Sequence, residues 1–371
     1  METYRPQVGS TIEDLDTPCL LIDLDALEHN FAVVSDTYRD TECKMRPHTK
    51  NTKSPLLAHM QIQAGGTNGG ICTAKVSEAE VMVEGGITDI LIPNQIVTAD
   101  KIDRLCSIAR RAEITVAIDN EQNVRDISNI ATAKHVTIGL VIEIDTQMGR
   151  AGIRHNEQGV RLARLASKLP GVRFKGVMCH QGATGISGKE TRFTEGRRFL
   201  EMALDVKNAI EADGIPVQVV SAAETWTYDV APTVPGITEV EGGTYALMMH
   251  TLGFMDDFQV AAKVLSTVIS TPRDGVAVGD VGHRALGYPN GMLPRFDPGL
   301  MEEGLNLVIE GLQEHHILMR SEGEMNLKVG DKFLLQSGQQ DILTNRWDHY
   351  IAVREGVVEG VWPITGRGCH N

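Results

Sequence analysis

Lys44-Met45-Arg46-Pro47-His48-Thr49-Lys50-Asn51-Thr52-Lys53 puts four cations and a histidine into ten residues of an otherwise acidic chain. Pro47 argues against a helix, so Met45–Thr49 reads as extended, and a helical run, Ser54-Pro55-Leu56-Leu57-Ala58-His59-Met60, follows. A lysine at a strand-to-helix junction can stand at a pocket mouth, where burial and neighbouring cations make it nucleophilic enough to form a Schiff base. The same residues would also suit a solvated basic turn. What surrounds them decides.

From Met45 onward, strand-like and helix-like runs alternate. The strands are Met45–Thr49, Gly70–Ala74, Asp89–Pro93, Ile114–Ile118, Val136–Ile144, Phe174–His180, Val217–Ala222 and Glu239–Leu247. Helical patterns between them include Glu78–Glu84, Asp100–Ala112, Glu121–Ala133, Glu157–Leu169 and Thr191–Ala212. This pattern predicts a (β/α)8 barrel of the TIM type rather than a doubly wound sheet. Ahead of it lie a short apolar run, Pro18–Leu24, and a helix over Ala26–Tyr38 with Asp25 as its expected N-cap. After Phe258 the texture becomes short β-runs split by turns such as Pro272-Arg273-Asp274-Gly275, which predicts a C-terminal all-β domain. The expected division is a barrel over residues 25–258 and a β-domain from 1–24 plus 259–371.

A chain of 371 residues suits a large barrel with an appended domain. Its net charge of −14 disfavours nucleic acid and anionic membrane as partners but leaves room for a local basic pocket. Cys19, Cys43, Cys72, Cys106, Cys179 and Cys369 form no CxxC pair, which suits reduced thiols. No signal core or membrane-length run is visible, and the expected location is the cytoplasm.

Arg46-Pro47-His48-x-Lys50-x-x-Lys53 resembles the lysine segment of the D-threonine aldolase and D-serine dehydratase family, enzymes that use pyridoxal 5'-phosphate (PLP). The resemblance implies an alanine-racemase-like fold in which Pro18–Leu24 joins the β-domain, with Lys50 as the Schiff-base lysine. Asp145-Thr146-Gln147-Met148-Gly149-Arg150-Ala151-Gly152 resembles the Asp-Thr-Gly-Met-x-Arg-x-Gly segment of alanine racemases. Arg150 would then lie near the cofactor's phenolic oxygen and the substrate carboxylate. His180, before Gln181-Gly182, stands where the family places Tyr, and either stacking or proton transfer is open to it.

The phosphate cup is expected from Gly242-Gly243-Thr244-Tyr245, together with Ser221 and Thr225. Ser221-Ala222-Ala223-Glu224 departs from the Ser-Gly-Gly-rich pattern of the family, and Glu224 should turn away from a phosphate. Family members carry a metal-holding His-x-Asp or His-x-Cys pair; here Gln339 and Asp341 occupy those places, and Thr52 replaces another family histidine. An amide and a carboxylate would hold at most a hard ion such as Mg, weakly. His48, His250, His283, His315 and His316 remain as further candidates, with Glu314-His315 and Gly279-Asp280-Val281-Gly282 also family-like.

The resemblance implies a PLP-dependent lyase that cleaves a β-hydroxy D-amino acid by a retro-aldol reaction, as a homodimer acting on a small-molecule substrate. A dehydratase of D-serine or 3-hydroxyaspartate type is the nearest alternative. An amino-acid racemase and a non-catalytic PLP-binding protein follow, the last disfavoured by the β-runs after Phe258.

Overall fold

The computed structural model describes residues 4–181, 188–287, 292–300, 307–321 and 326–371. Gly182 and residues 305–306 of the expected strand Leu305–Gly311 lie outside the described residues. The chain forms two compact units. One comprises Met1–Phe31, Asn51–Lys53 and Thr244–Gly368; the other comprises Ala32–Lys50, Ser54–Gly243 and Cys369–Asn371.

The first strand, β1 (Cys19–Asp23), leads into helix α1 (Leu24–Tyr38). The helix is capped by Asp23, whose Oδ1 accepts the Ala26 amide at 3.1 Å, and not by Asp25, which falls in the first turn. Then come eight strands: β2 (Lys44–Met45), β3 (Ile71–Cys72), β4 (Asp89–Gln95), β5 (Glu113–Ile118), β6 (Ile138–Ile144), β7 (Val172–Cys179), β8 (Val219–Ala222) and β9 (Glu239–Val240). Helices separate most of them: α2 (Pro55–Ala64), α3 (Val76–Glu84), α4 (Ala99–Ile108), α5 (Glu121–Ala133), α6 (Asn156–Ala166) and α7 (Lys189–Ala212).

The eight strands are parallel neighbours in the order β2-β9-β8-β7-β6-β5-β4-β3. A bridge between His48 and Cys72 joins the two ends, so the sheet closes as the expected barrel. Cys72, Leu91, Ala117, Val141 and Met178, one residue from each of β3 to β7, form a single apolar cluster. Three strands fall well short of what their sequence suggests: β2, β9 and β3, which covers only Ile71–Cys72 of the expected Gly70–Ala74. β2 stops at Met45 because Pro47 has no N–H to give; beyond it His48 N bonds Gly242 O, and Thr49 N bonds Cys72 O. β9 stops at Val240, just before Gly242-Gly243.

A buried guanidinium spans the seam where β2 meets β3, tying the end of β2 to β9 on one side and β4 on the other. Arg46 Nε donates to Glu239 Oε1 at 2.9 Å, and its Nη atoms reach both Asp89 oxygens at 3.1 and 3.3 Å. Asn68 Nδ2 donates to the second Glu239 oxygen at 2.6 Å. Gly70 makes room: a Cβ there would lie 2.2 Å from Arg46 Nη1.

The other unit holds β1 with β10 (Ala262–Arg273), β11 (Val276–Gly279), β12 (Arg295–Asp297), β13 (Leu307–Leu312), β14 (Ile317–Ser321), β15 (Lys332–Gln336), β16 (His349–Arg354) and β17 (Val357–Pro363). Its path runs β13-β14-β11-β10-β1-β16-β17, with β15 pairing β10 and β12. The strand before the barrel thus sits in this sheet, antiparallel to β10 and parallel to β16. Two short helices, α8 (His283–Leu286) and α9 (Gln340–Thr344), interrupt the β texture. Asn51–Lys53 belong here through three bonds: Asn51 Nδ2 to Asp341, Tyr350 Oη to Thr52 O at 2.7 Å, and Gly366 N to Lys53 O at 2.8 Å.

Arg46→Ala would leave Glu239 buried without its cation, a loss typically worth about 3–5 kcal/mol. Denaturant unfolding should show a drop of that size. A change below about 1 kcal/mol, no more than an exposed ion pair is worth, would mean that the pair is not what holds the seam.

Candidate active site

Alternation along the extended run puts residues 46 and 48 on one side, and a turn over Thr49-Lys50 follows. Arg46 is taken by Glu239, while His48 and Lys50 line a cavity of about 260 Å³. Its other walls come from residues at or beyond the C-terminal ends of barrel strands. Ala74 and Lys75 follow β3, Asn94 closes β4, Arg150 follows β6, Met178 and His180 end β7, and Glu241 follows β9. His48 Nδ1 accepts the Lys50 amide at 3.3 Å, which fixes the backbone that carries the lysine.

Arg150 is half exposed, with Nη2 3.4 Å from Glu143 Oε1. Glu143 is buried and also accepts the Gln95 amide, so the arginine is tethered by a carboxylate that is itself held. At His180 the Thr146 hydroxyl donates to the backbone carbonyl. The ring Nε2 lies 3.8 Å from Glu224 Oε2, so Glu224 turns toward this histidine. Burial, with the charges of Lys50 and Arg150, pushes the imidazole pKa down to about 3. The ring is therefore neutral at neutral pH.

Glu241, which the sequence reading did not single out, is the opposite case. Burial pushes its carboxyl pKa up to about 8, a hydrogen bond from Ser221 works against the rise, and the Glu239 charge adds to it. Ser221 Oγ donates to Glu241 Oε1 at 2.8 Å, so this hydroxyl serves the carboxyl. The sequence signal was the period of two that sets Glu239 and Glu241 on one side of a strand otherwise apolar at Ile237 and Val240.

Of the other expected phosphate ligands, Thr225 is buried beside the end of β9: a Cβ on Gly242 would lie 3.6 Å from the Thr225 amide nitrogen and 2.7 Å from Met45 Sδ. Glycine is required at 242, and it brings the backbone of Gly242-Gly243 up to the loop after β8. Thr244 and Tyr245 fall in the sheet unit, where the Thr244 carbonyl accepts Gln340 Nε2 at 3.0 Å. The buried Tyr245 ring meets Phe31 and Phe258 at centroid distances of 6.4 and 6.1 Å. Two loops of the barrel unit hold non-glycine residues in the left-handed region, Gln147 at φ 71° and Ala223 at φ 73°. Both stand where the motifs quoted above have glycine.

The barrel unit's donor set fits pyridoxal phosphate: an amine for its aldehyde carbon, a tethered cation for its phenolate, and backbone N–H groups at Thr225 and Gly243 for its phosphate. A metal does not fit at Gln339 and Asp341. Asn51 Nδ2 occupies one Asp341 oxygen, and Gln339 offers a neutral amide where an imidazole would be needed for Zn or Mn. Among the described residues no group of three or more His, Cys, Asp or Glu could hold an ion.

A barrel with a lysine after its first strand, joined to a β-sheet unit, defines a protein of the alanine-racemase architecture. Residues 22–250 match the alanine racemase N-terminal domain and residues 261–353 a putative serine dehydratase domain. The chain belongs to the alanine-racemase-like family of D-threonine aldolases and D-serine dehydratases, for which PLP is the expected cofactor. It is 32% identical over 372 residues to a 3-hydroxy-D-aspartate aldolase of Paracoccus denitrificans, covering 97% of this chain and 94% of that one. It is 29% identical to a D-threo-3-hydroxyaspartate dehydratase of a Delftia species, with 88% and 89% covered. The crystal structure of D-threonine aldolase from Filomicrobium marinum superposes with a TM-score of 0.92 at 31% identity, covering 99% of this chain and 100% of that one.

Elemental analysis should find far less than one Zn or Mn per chain, and Gln339→His, which puts an imidazole beside Asp341, should raise the metal content. Loss of a ligand costs at least the roughly 10–100-fold in affinity typical of a lost supporting contact. Stoichiometric Zn in the unchanged protein would show that other residues bind it.

Proposed function

We propose that this protein is a PLP-dependent lyase that cleaves a β-hydroxy D-amino acid between Cα and Cβ, giving glycine or a small amino acid and a carbonyl compound. The observation that carries the reading is Lys50 at a barrel strand end, in one cavity with Arg150 and a neutral His180. When bound, PLP supplies an electron sink for the bond that breaks at Cα. Lys50 Nζ holds the cofactor, yields its place to the substrate amine, and is then free to deliver a proton to Cα. Arg150 binds the substrate carboxylate through charge-assisted bonds while Glu143 fixes its direction. Thr225 and the Gly242-Gly243 backbone bind the phosphate.

His180 Nε2, facing Glu224, accepts the β-hydroxyl proton as Cα–Cβ breaks. The β-hydroxyl meets a neutral ring, and Glu224, 3.8 Å from Nε2, is placed to stabilise the imidazolium that results. Elimination asks the group beside the hydroxyl to give it a proton, and an imidazole with a pKa near 3 is not an imidazolium at neutral pH. The dehydratase reading is therefore second.

Borohydride reduction of the holoprotein should fix the cofactor's mass on the peptide that contains Lys50. Lys50→Ala should lower activity about a thousandfold or more, and His180→Asn about 10²–10⁴-fold in kcat. With β-hydroxy D-amino acids the product should be an aldehyde or other carbonyl compound plus an amino acid. Keto acid with ammonia would move the assignment to the dehydratase.

The proposal extends to a homodimer in which the sheet unit of one chain covers the barrel mouth of its partner and keeps water from the reacting carbon. Exposed Val97 and Met148, in the loops after β4 and β6, supply apolar rim for such a contact. Sedimentation should give a dimer, and full activity in a diluted monomer would refute it. Six cysteines, none in a disulfide, suit a reducing compartment, and we place the enzyme in the cytoplasm. No helix among the described residues is long and apolar enough to cross a membrane.

A further inference from the structure

Glu241 is a carboxyl on a cavity wall that the mechanism above does not use. The residue is 5% exposed, and Ser221 supplies the hydrogen bond at Oε1. Among the described residues no cation lies within ion-pairing distance of it. Arg46, whose charge acts on it, is committed to Glu239 and Asp89. A buried carboxyl with one oxygen satisfied and no counter-ion is costly unless it keeps its proton or meets a cation that arrives later. Ser221 orients the group from β8, so the second oxygen is the one left for an occupant of the cavity.

We propose that Glu241 binds the ring nitrogen of the cofactor, passing its proton to that nitrogen so that a carboxylate faces a pyridinium N–H. This rests on the reading of the site as a PLP site. The step balances: the O–H bond at Oε2 breaks, an N–H bond forms on the ring, and the net charge of the pair is unchanged. Without a cofactor the carboxyl holds its proton up to about pH 8, because burial and the charges of Glu239 and Glu143 outweigh Arg46 and the Ser221 hydrogen bond. Lys50, Arg150, Lys75, His48 and His180 line the same cavity, and Cys72 and Cys179 lie near enough to feel the Glu241 charge. Burial pushes both thiols up, Cys179 to about 12, so neither competes as an anion at neutral pH. A protonated ring nitrogen makes the ring a stronger acceptor for the electron pair released at Cα, which suits bond cleavage to carbon.

The test is nitrogen NMR of the holoprotein loaded with cofactor labelled with ¹⁵N at the ring nitrogen, beside Glu241→Gln. In the unchanged protein the ring nitrogen should show the protonated shift and keep it when the pH is raised to about 9. Glu241→Gln should show the unprotonated shift near neutral pH and bind cofactor about ten- to a hundredfold more weakly, the worth of one charge-assisted hydrogen bond. An unprotonated ring nitrogen in the unchanged protein overturns the assignment without any variant, as does an identical shift in Glu241→Gln. Borohydride labelling separates the two ideas. A Lys50-linked cofactor with an unprotonated ring overturns this inference alone, whereas no Lys50-linked cofactor overturns the PLP reading and this one with it.

Discussion

The structure turns on the ion pair between Arg46 and Glu239, with Asp89 as the second carboxylate. A barrel has no edge to spare, yet here the closing strand β2 is two residues long and contains no stretch of regular pairing on its β3 side. Backbone bonds alone make a thin seam. The guanidinium spans it from inside, joining the start of β9 and the start of β4 to the end of β2, and burial makes each of those contacts expensive to lose. Everything that follows on that run, His48 and then Lys50, inherits its position from this clamp.

Above the clamp the cavity is tuned against charge. Two of its titratable groups are held neutral at pH 7, an imidazole that carries one ring proton and a carboxyl that keeps its own. The causes differ: two cations and burial at His180, burial and two carboxylates at Glu241. A site holding a neutral base and a neutral acid close to a lysine and an arginine can move protons in either direction without ever hosting an unscreened buried charge.

The barrel was legible because its signal is periodic and repeated: alternating apolar runs and amphipathic helices from β4 to β7 leave little freedom. Lys50, Arg150 and His180 were legible through the segments that resemble the family's motifs, and the structure brings all three to one cavity. What escaped depends on side-chain direction. Glu241 reads as one more carboxylate in an acidic chain until β9 aims it inward. Glu224 is expected from sequence only to turn away from a phosphate; that it turns to His180 depends on the loop after β8. Tyr245 follows two glycines that look like a phosphate cradle, but its ring is claimed by Phe31 and Phe258. Asp23 and Asp25 are equally good caps on paper, and only the register of α1 separates them.

Gln147 and Ala223 bear on the opening of the cavity. A Cβ in the left-handed region costs about 1 kcal/mol and also narrows the backbone angles open to the residue. Glycine in the same places would leave the loops after β6 and β8 more backbone angles; a glutamine and an alanine leave them fewer. Both loops abut His180, one through Thr146 and the other through Glu224. The opening beside the candidate base is thus bordered by two residues whose backbone angles are narrowly limited. A change to glycine at either position would widen the backbone angles open to the loop that carries it, next to the candidate base.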